Sequence, residues 1–110
     1  MKYKSKIFIA TSTFSVITKT IKEEFEKKQI KLKKNPLKRK LTSRELISLA
    51  KDCKFIIAGT ERYDHQTLDR LTKLEYLFRL GSGVDNIDID YLKEKKIKFS
   101  KSNITPEIAV

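Results

Sequence analysis

Tryptophan is absent from this chain of 110 residues, and cysteine and histidine occur once each. A lone thiol excludes a disulfide framework or a thiolate metal site built within one chain. With no signal-like N-terminus, it implies a reducing, cytoplasmic setting. Three glycines and two prolines are too few for a low-complexity or disordered chain. No apolar run approaches the roughly 18 residues that a spanning helix needs, so a transmembrane role is excluded. Acidic residues are scarce relative to basic ones, 14 against 25, which leaves a formal charge of +11.

The length suits a single domain with one modest core. A basic surface attracts nucleic acid, anionic membrane and acidic metabolites alike, so the charge must be read by its distribution. Its one dense cluster is Lys31, Lys33, Lys34, Lys38, Arg39 and Lys40. No aromatic residue lies among them to stack on a base. The cluster therefore reads first as a solvated surface, and contact with RNA is the second reading.

Along the chain the hydrophobic period switches repeatedly between strand and helix. Residues 6–10 form an apolar run suited to a buried strand, and the hydroxyl-rich loop 11–15 follows. Ile17, Ile21 and Phe25 recur at helical spacing in a charged stretch that ends near Lys28. Residues 30–33 are a candidate strand closed by Asn35 and Pro36, because the residue before proline avoids the helical region. Thr42 and Glu45 have capping-box spacing for a helix from about Ser43, with Leu46, Leu49, Ala50 and Cys53 assigned to one face. Phe55–Ala58, closed by Gly59, reads as a buried strand. Asp64 can cap a short helix carrying Leu68 and Leu71. Residues 74–80 form another strand, Asp88 can cap a helix through Leu92, and residues 97–99 form the last strand.

Short strands alternating with helices imply parallel neighbours joined by crossovers. The expected fold is α/β: a flavodoxin-like, doubly wound, parallel five-stranded sheet with helices on both faces. Ligands of such sheets lie outside the carboxyl ends of the strands. That singles out loops 11–15, 59–63 and 81–86. The last begins Gly81-Ser82-Gly83, as a dinucleotide loop does, but Asn86 stands where a third glycine would permit close helix packing. Two glycines around a serine make a tight turn whose exposed amides can receive a carboxylate. A turn without a ligand is the alternative. His65, on the first turn of a predicted helix, reads as solvated rather than as a general base. Cys53 reads as core packing, and Asp64 and Asp69 lack the second acid that paired-carboxylate chemistry needs.

The stretch Leu74-Glu75-Tyr76-Leu77-Phe78-Arg79-Leu80-Gly81-Ser82-Gly83-Val84-Asp85-Asn86-Ile87-Asp88, followed by Lys95-Lys96-Ile97, resembles the N-terminal part of the D-isomer-specific 2-hydroxyacid dehydrogenases. The phosphoglycerate dehydrogenase-like members are the nearest in pattern. Asn35-Pro36-Leu37 with Arg39, Leu41, Thr42, Glu45 and Leu46 is similar to a second stretch of these proteins, and Gly59-Thr60-Glu61 to a third. Together the matches cover roughly residues 5–110.

The resemblance implies an NAD-dependent, two-domain oxidoreductase whose flavodoxin-like substrate domain is interrupted by a Rossmann domain. On that basis the amides of Ser82 and Gly83, with Gly81 beside them, are expected to hold the carboxylate of a small 2-hydroxy or 2-oxo acid. Gly59 and Thr60 would face the same cleft, and Asp85 and Asn86 would be structural. Residues 1–104 would be the N-terminal portion of the substrate domain, and residues 105–110 the start of a helix crossing to the NAD domain. The dinucleotide loop, the acidic ribose ligand, the substrate arginine and the Glu–His pair of the family all belong beyond that point. This chain is therefore expected to carry no catalytic residue, to be inactive alone and to bind no NAD by itself, with a homodimer expected only of a full-length enzyme. Arg62 departs from a proline common in the pattern, and Lys95-Lys96 from an Arg-Gly or Lys-Gly turn. A reading of another class is a stand-alone flavodoxin-like module that binds a small carboxylate or RNA.

Overall fold

A computed structural model describes residues 5–10, 23, 26–80 and 83–102 of the chain. Five strands form one sheet: β1 (Ser5–Ile9), β2 (Ile30–Lys34), β3 (Phe55–Ala58), β4 (Tyr76–Leu80) and β5 (Lys98–Ser102). Their spatial order is β2-β1-β3-β4-β5, and every neighbouring pair is parallel. This is the α/β, flavodoxin-like strand order expected from the alternation of periods. Three helices are described: α1 (Ser43–Ala50), α2 (His65–Arg70) and α3 (Ile89–Glu94). The helix expected to end near Lys28 lies mostly outside the described residues, of which Glu23, Glu26 and Lys27 are helical.

Each described helix starts where a side chain can satisfy its first amides. The Thr42 hydroxyl accepts from the Glu45 amide at 3.2 Å while the Glu45 carboxylate accepts from the Thr42 amide at 3.0 Å, a complete capping box. Asp64 caps α2 by accepting from the Thr67 amide at 2.9 Å, and Asp88 caps α3 by accepting from the Tyr91 amide at 3.1 Å. Helix α1 ends at Ala50, so Cys53 lies beyond it rather than on its face; the Cys53 amide donates to the Ala50 carbonyl at 2.9 Å. Strand β5 begins at Lys98, one residue later than the apolar run suggested, and continues to Ser102. Pairing with β4, which matches Tyr76 to Lys98 and Leu80 to Ser102, decides its limits.

The register divides the side chains into two faces. Phe8, Ile56 and Leu77 stand in one row across the sheet, with Ala10 and Ala58 beyond them. They form a single buried cluster with Leu46 and Ala50 of α1, Leu68 of α2 and Leu92 of α3. Topology accounts for this one-sided arrangement. The connections β2 to β3, β3 to β4 and β4 to β5 all step in the same direction, so right-handed crossovers put their helices on one face. Ile7, Phe55, Tyr76 and Lys98 form the matching row on the opposite face. Among the described residues no helix is long and apolar enough to cross a membrane.

Candidate functional site

At the carboxyl ends of the strands, the β3–α2 and β4–α3 connections are sewn together. The backbones of Tyr63 and Ile87 form an isolated parallel bridge, with the Tyr63 amide donating to the Asn86 carbonyl at 2.7 Å and the Asp88 amide to the Tyr63 carbonyl at 2.9 Å. The Asn86 side chain adds a cross-tie. Its Nδ2 donates to the carbonyls of Gly59 at 3.1 Å and Glu61 at 2.7 Å. The position where a dinucleotide loop has its third glycine thus holds an amide committed to the neighbouring loop.

Beneath this tie lies a buried polar pair, Glu61 and Tyr63, at 1% and 0% exposure. The Glu61 Oε2 accepts from the Gly59 amide at 2.7 Å and from the Tyr63 hydroxyl. Both groups of the Gly59 backbone are therefore engaged, its amide by Glu61 and its carbonyl by Asn86. Burial, followed by the adjacent Glu61 carboxylate, pushes the Tyr63 phenol well above its ordinary pKa, so it stays a donor through the physiological range. No buried side-chain nitrogen or oxygen among the described residues lacks a partner. A fully satisfied network of this kind costs far less than a buried carboxyl alone and fixes one loop geometry.

Of the residues singled out for substrate contact, Gly59 is buried, Thr60 is exposed beside it, and Gly83 is exposed on the adjoining loop. The Gly83 carbonyl accepts from Arg79 Nε at 2.9 Å, which anchors that turn to the end of β4. Gly81 and Ser82 lie outside the described residues, as does the loop 11–15. Asp85 is exposed, and Asn86 does the structural work expected of it. Sequence reasoning had no role for Glu61 or Tyr63 as a pair. The signal that could have found them is the period-two spacing of Gly59, Glu61 and Tyr63, which marks extended backbone running on past β3.

A third knot sits at the carboxyl ends of β1 and β2. Asn35 is buried; its Nδ2 donates to the Ala10 carbonyl at 2.9 Å and the Arg39 carbonyl at 2.8 Å, and its Oδ1 accepts from the Leu37 amide at 2.9 Å. The basic cluster is divided by the structure. Lys33 Nζ donates to the Leu49 carbonyl at 2.7 Å and pairs with Asp52, while Arg39 grips both Glu45 oxygens at 3.0 and 2.8 Å. Arg39 and the Thr42 amide hold the Glu45 carboxyl down at about 2, and Lys6 with Lys33 holds Asp52 at about 2 against partial burial.

The residues tested as catalysts have structural surroundings. The His65 ring is exposed and lies 4.8 Å from the Tyr91 ring at 43°. Cys53 is buried, and burial pushes its thiol up to about 11, which keeps it a protonated, inert core group. In the connection after β4, Asn86 stands where a dinucleotide loop has its third glycine, and the six-residue α3 has the Asp88 carboxylate accepting from its Tyr91 amide at 3.1 Å, at the helix end where a dinucleotide loop seats its pyrophosphate. Among the described residues no cluster of His, Cys, Asp and Glu could hold a metal ion.

Residues 9–110 match the family described as D-isomer specific 2-hydroxyacid dehydrogenase, catalytic domain. Among solved structures, the chain is similar to an NAD+-bound 3-phosphoglycerate dehydrogenase of Entamoeba histolytica, with a TM-score of 0.73 and 27% identity over 88% of this chain and 32% of that one. A putative D-isomer specific 2-hydroxyacid dehydrogenase from Polaromonas matches in fold with a TM-score of 0.71 and 23% identity, covering 86% of this chain and 29% of that one. The D-lactate dehydrogenase of Escherichia coli gives a TM-score of 0.68 at 19% identity, over 90% and 31% of the two chains. The chain spans about a third of the length of these structures. No curated protein sequence matches it.

Proposed function

The chain belongs to the D-isomer specific 2-hydroxyacid dehydrogenases, and from that premise we propose that residues 1–104 are the substrate-binding lobe of an NAD-dependent oxidoreductase acting on a small 2-hydroxy or 2-oxo acid. The observation that carries this reading is the union of two loops, 59–63 and 83–88, at the carboxyl ends of β3 and β4 through Asn86 and the Glu61–Tyr63 pair. Ligands of open parallel sheets bind at that end.

In this reading the turn 81–83 presents the amides of Ser82 and Gly83, with Gly81 beside them, to the substrate carboxylate. Gly59 and Thr60 form the opposite wall. Arg79 donates to the Gly83 carbonyl, which offsets the partial negative charge of that oxygen beside the anion. The lobe binds and orients; it supplies neither the nicotinamide nor the acid–base group that hydride transfer requires. On the same reading residues 105–110 would lead toward a cofactor-binding domain, which would also provide the dimer contacts.

The test is a titration of the isotope-labelled chain with glyoxylate and D-glycerate, followed by amide resonances. Saturable shifts centred on Gly59, Thr60 and residues 81–83 are expected, and their absence, or shifts elsewhere, would overturn the assignment. Calorimetry with NADH is expected to give no saturable heat. A measurable NADH affinity would mean that the lobe holds its own cofactor.

A further inference from the structure

The loop 59–63 commits the residues on either side of Thr60. The Gly59 amide donates to Glu61, and the carbonyls of Gly59 and Glu61 both accept from the same Asn86 Nδ2, at 3.1 and 2.7 Å. The Glu61 and Tyr63 side chains are buried against each other. Hydrogen bonds from Thr67, and then the charge of Arg62, hold the Asp64 carboxyl below its ordinary value, so Arg62 acts on the cap of α2. Thr60 differs from all of these. It is exposed, and among the described residues neither its hydroxyl nor its backbone makes a hydrogen bond.

We propose that the Thr60 hydroxyl selects the substrate by its side chain, and that the acid it selects carries a hydroxyl on C3. This rests on the reading of the turn 81–83 as the carboxylate site. Thr60 is held in place through its two neighbours while its own groups stay open, which is how a binding group is kept ready without being used up by the fold. Gly59 contributes no side chain beside it. The substituent on the substrate therefore meets one polar side chain on this wall.

The chemistry of that side chain decides the class. A hydroxyl both donates and accepts, so it matches another hydroxyl in either sense. A methyl group in the same place offers it nothing, and in a closed cleft it leaves the Thr60 hydroxyl without a partner. A charged substituent would call for a cation on this wall, and the cation of the loop, Arg62, acts on Asp64 instead.

D-glycerate and D-lactate differ only in the C3 hydroxyl, so they form the matched pair for a titration of the isotope-labelled chain. Both are expected to shift the amides of residues 81–83. Only D-glycerate should shift Thr60, and it should bind about fivefold more tightly, the worth of one hydrogen bond made in competition with water. Thr60→Val, an exposed change of similar shape checked for folding by circular dichroism, should lower the affinity for D-glycerate to that for D-lactate and leave D-lactate unchanged. Thr60→Ser should keep the preference. Equal affinity for the two acids, a preference that survives Thr60→Val, or an equal loss of both acids in that variant would overturn the proposal while leaving the carboxylate site standing. Failure of either acid to shift residues 81–83 would overturn both.

Discussion

Ile56 and Ile57 are adjacent in sequence and identical in chemistry, yet Ile56 is fully shielded beneath three helices and Ile57 is half-buried on the opposite side. The same contrast separates Leu77 from Tyr76 and Phe78. What differs is not hydrophobicity but the direction in which the following connections step. The strands of a parallel sheet read as apolar on both sides because both are destined for cover. The cover itself is allotted by topology, one crossover at a time.

The sharpest way to break this comparison is a matched pair of truncations. Ile56→Ala should cost about 2 to 5 kcal/mol, the usual range for a fully packed aliphatic side chain. Ile57→Ala should cost less than about half of that, since part of its surface is already wet. Urea unfolding followed by circular dichroism measures both, and equal losses would mean that the second face is as tightly covered as the first.

Two tyrosines carry the contrast into polar chemistry. Tyr63→Phe leaves the Glu61 carboxyl with one donor fewer in a site closed to water, and should cost about 1 to 3 kcal/mol. Tyr76→Phe removes a 2.6 Å bond to Ser100 Oγ on the open face, where water replaces it, and should cost about 0.5 kcal/mol or less. The difference between the two thermal midpoints reads the difference in solvent access.

In the turn between α3 and β5, Lys96 has φ of 61°, a left-handed conformation that glycine adopts without penalty. Lys96→Gly should therefore raise stability by about 1 kcal/mol, read as a thermal midpoint about 4 °C higher. This gain should be independent of which face is covered.

The smallest effect is electrostatic, on the covered side. Glu45 and Asp52 titrate at about 2 in the folded chain, below their ordinary values of 4.5 and 3.8. A depressed folded pKa adds stability that is complete above the unfolded value and lost as pH falls through the folded one. Stability should thus hold above about pH 5 and decline from there to about pH 2. Asp52→Asn should shrink that decline without altering stability on the open face.

Much of this architecture was legible in the residues. The limits of β3 and all three helix caps follow from local chemistry, because a cap is a contact between residues three apart. The apolar run 97–99 starts the edge strand β5 one residue early and ends it three residues short, because its extent depends on a partner more than 20 positions away. The candidate site was legible as loops. Gly59, Thr60 and Gly83 stand out by glycine content and by position after strands. Glu61, between Thr60 and Arg62, looks like one more solvated charge. Its spacing with Gly59 and Tyr63 hints at extended backbone, but its burial depends on the tertiary bridge between Tyr63 and Ile87. Lys96 was legible as a departure from a glycine turn, and its positive φ supplies the physical reason.

The two strands at the margins of the sheet, β2 with Ile-Lys-Leu-Lys-Lys and β5 with Lys-Phe-Ser-Lys-Ser, hold five lysines between them, whereas the three interior strands hold a single lysine and a single arginine. An unpaired margin is a template on which another extended chain can add, and lysines there raise the cost of that addition. Among the described residues no further strand pairs with either margin, so these lysines place part of the excess positive charge where it opposes the addition of another strand.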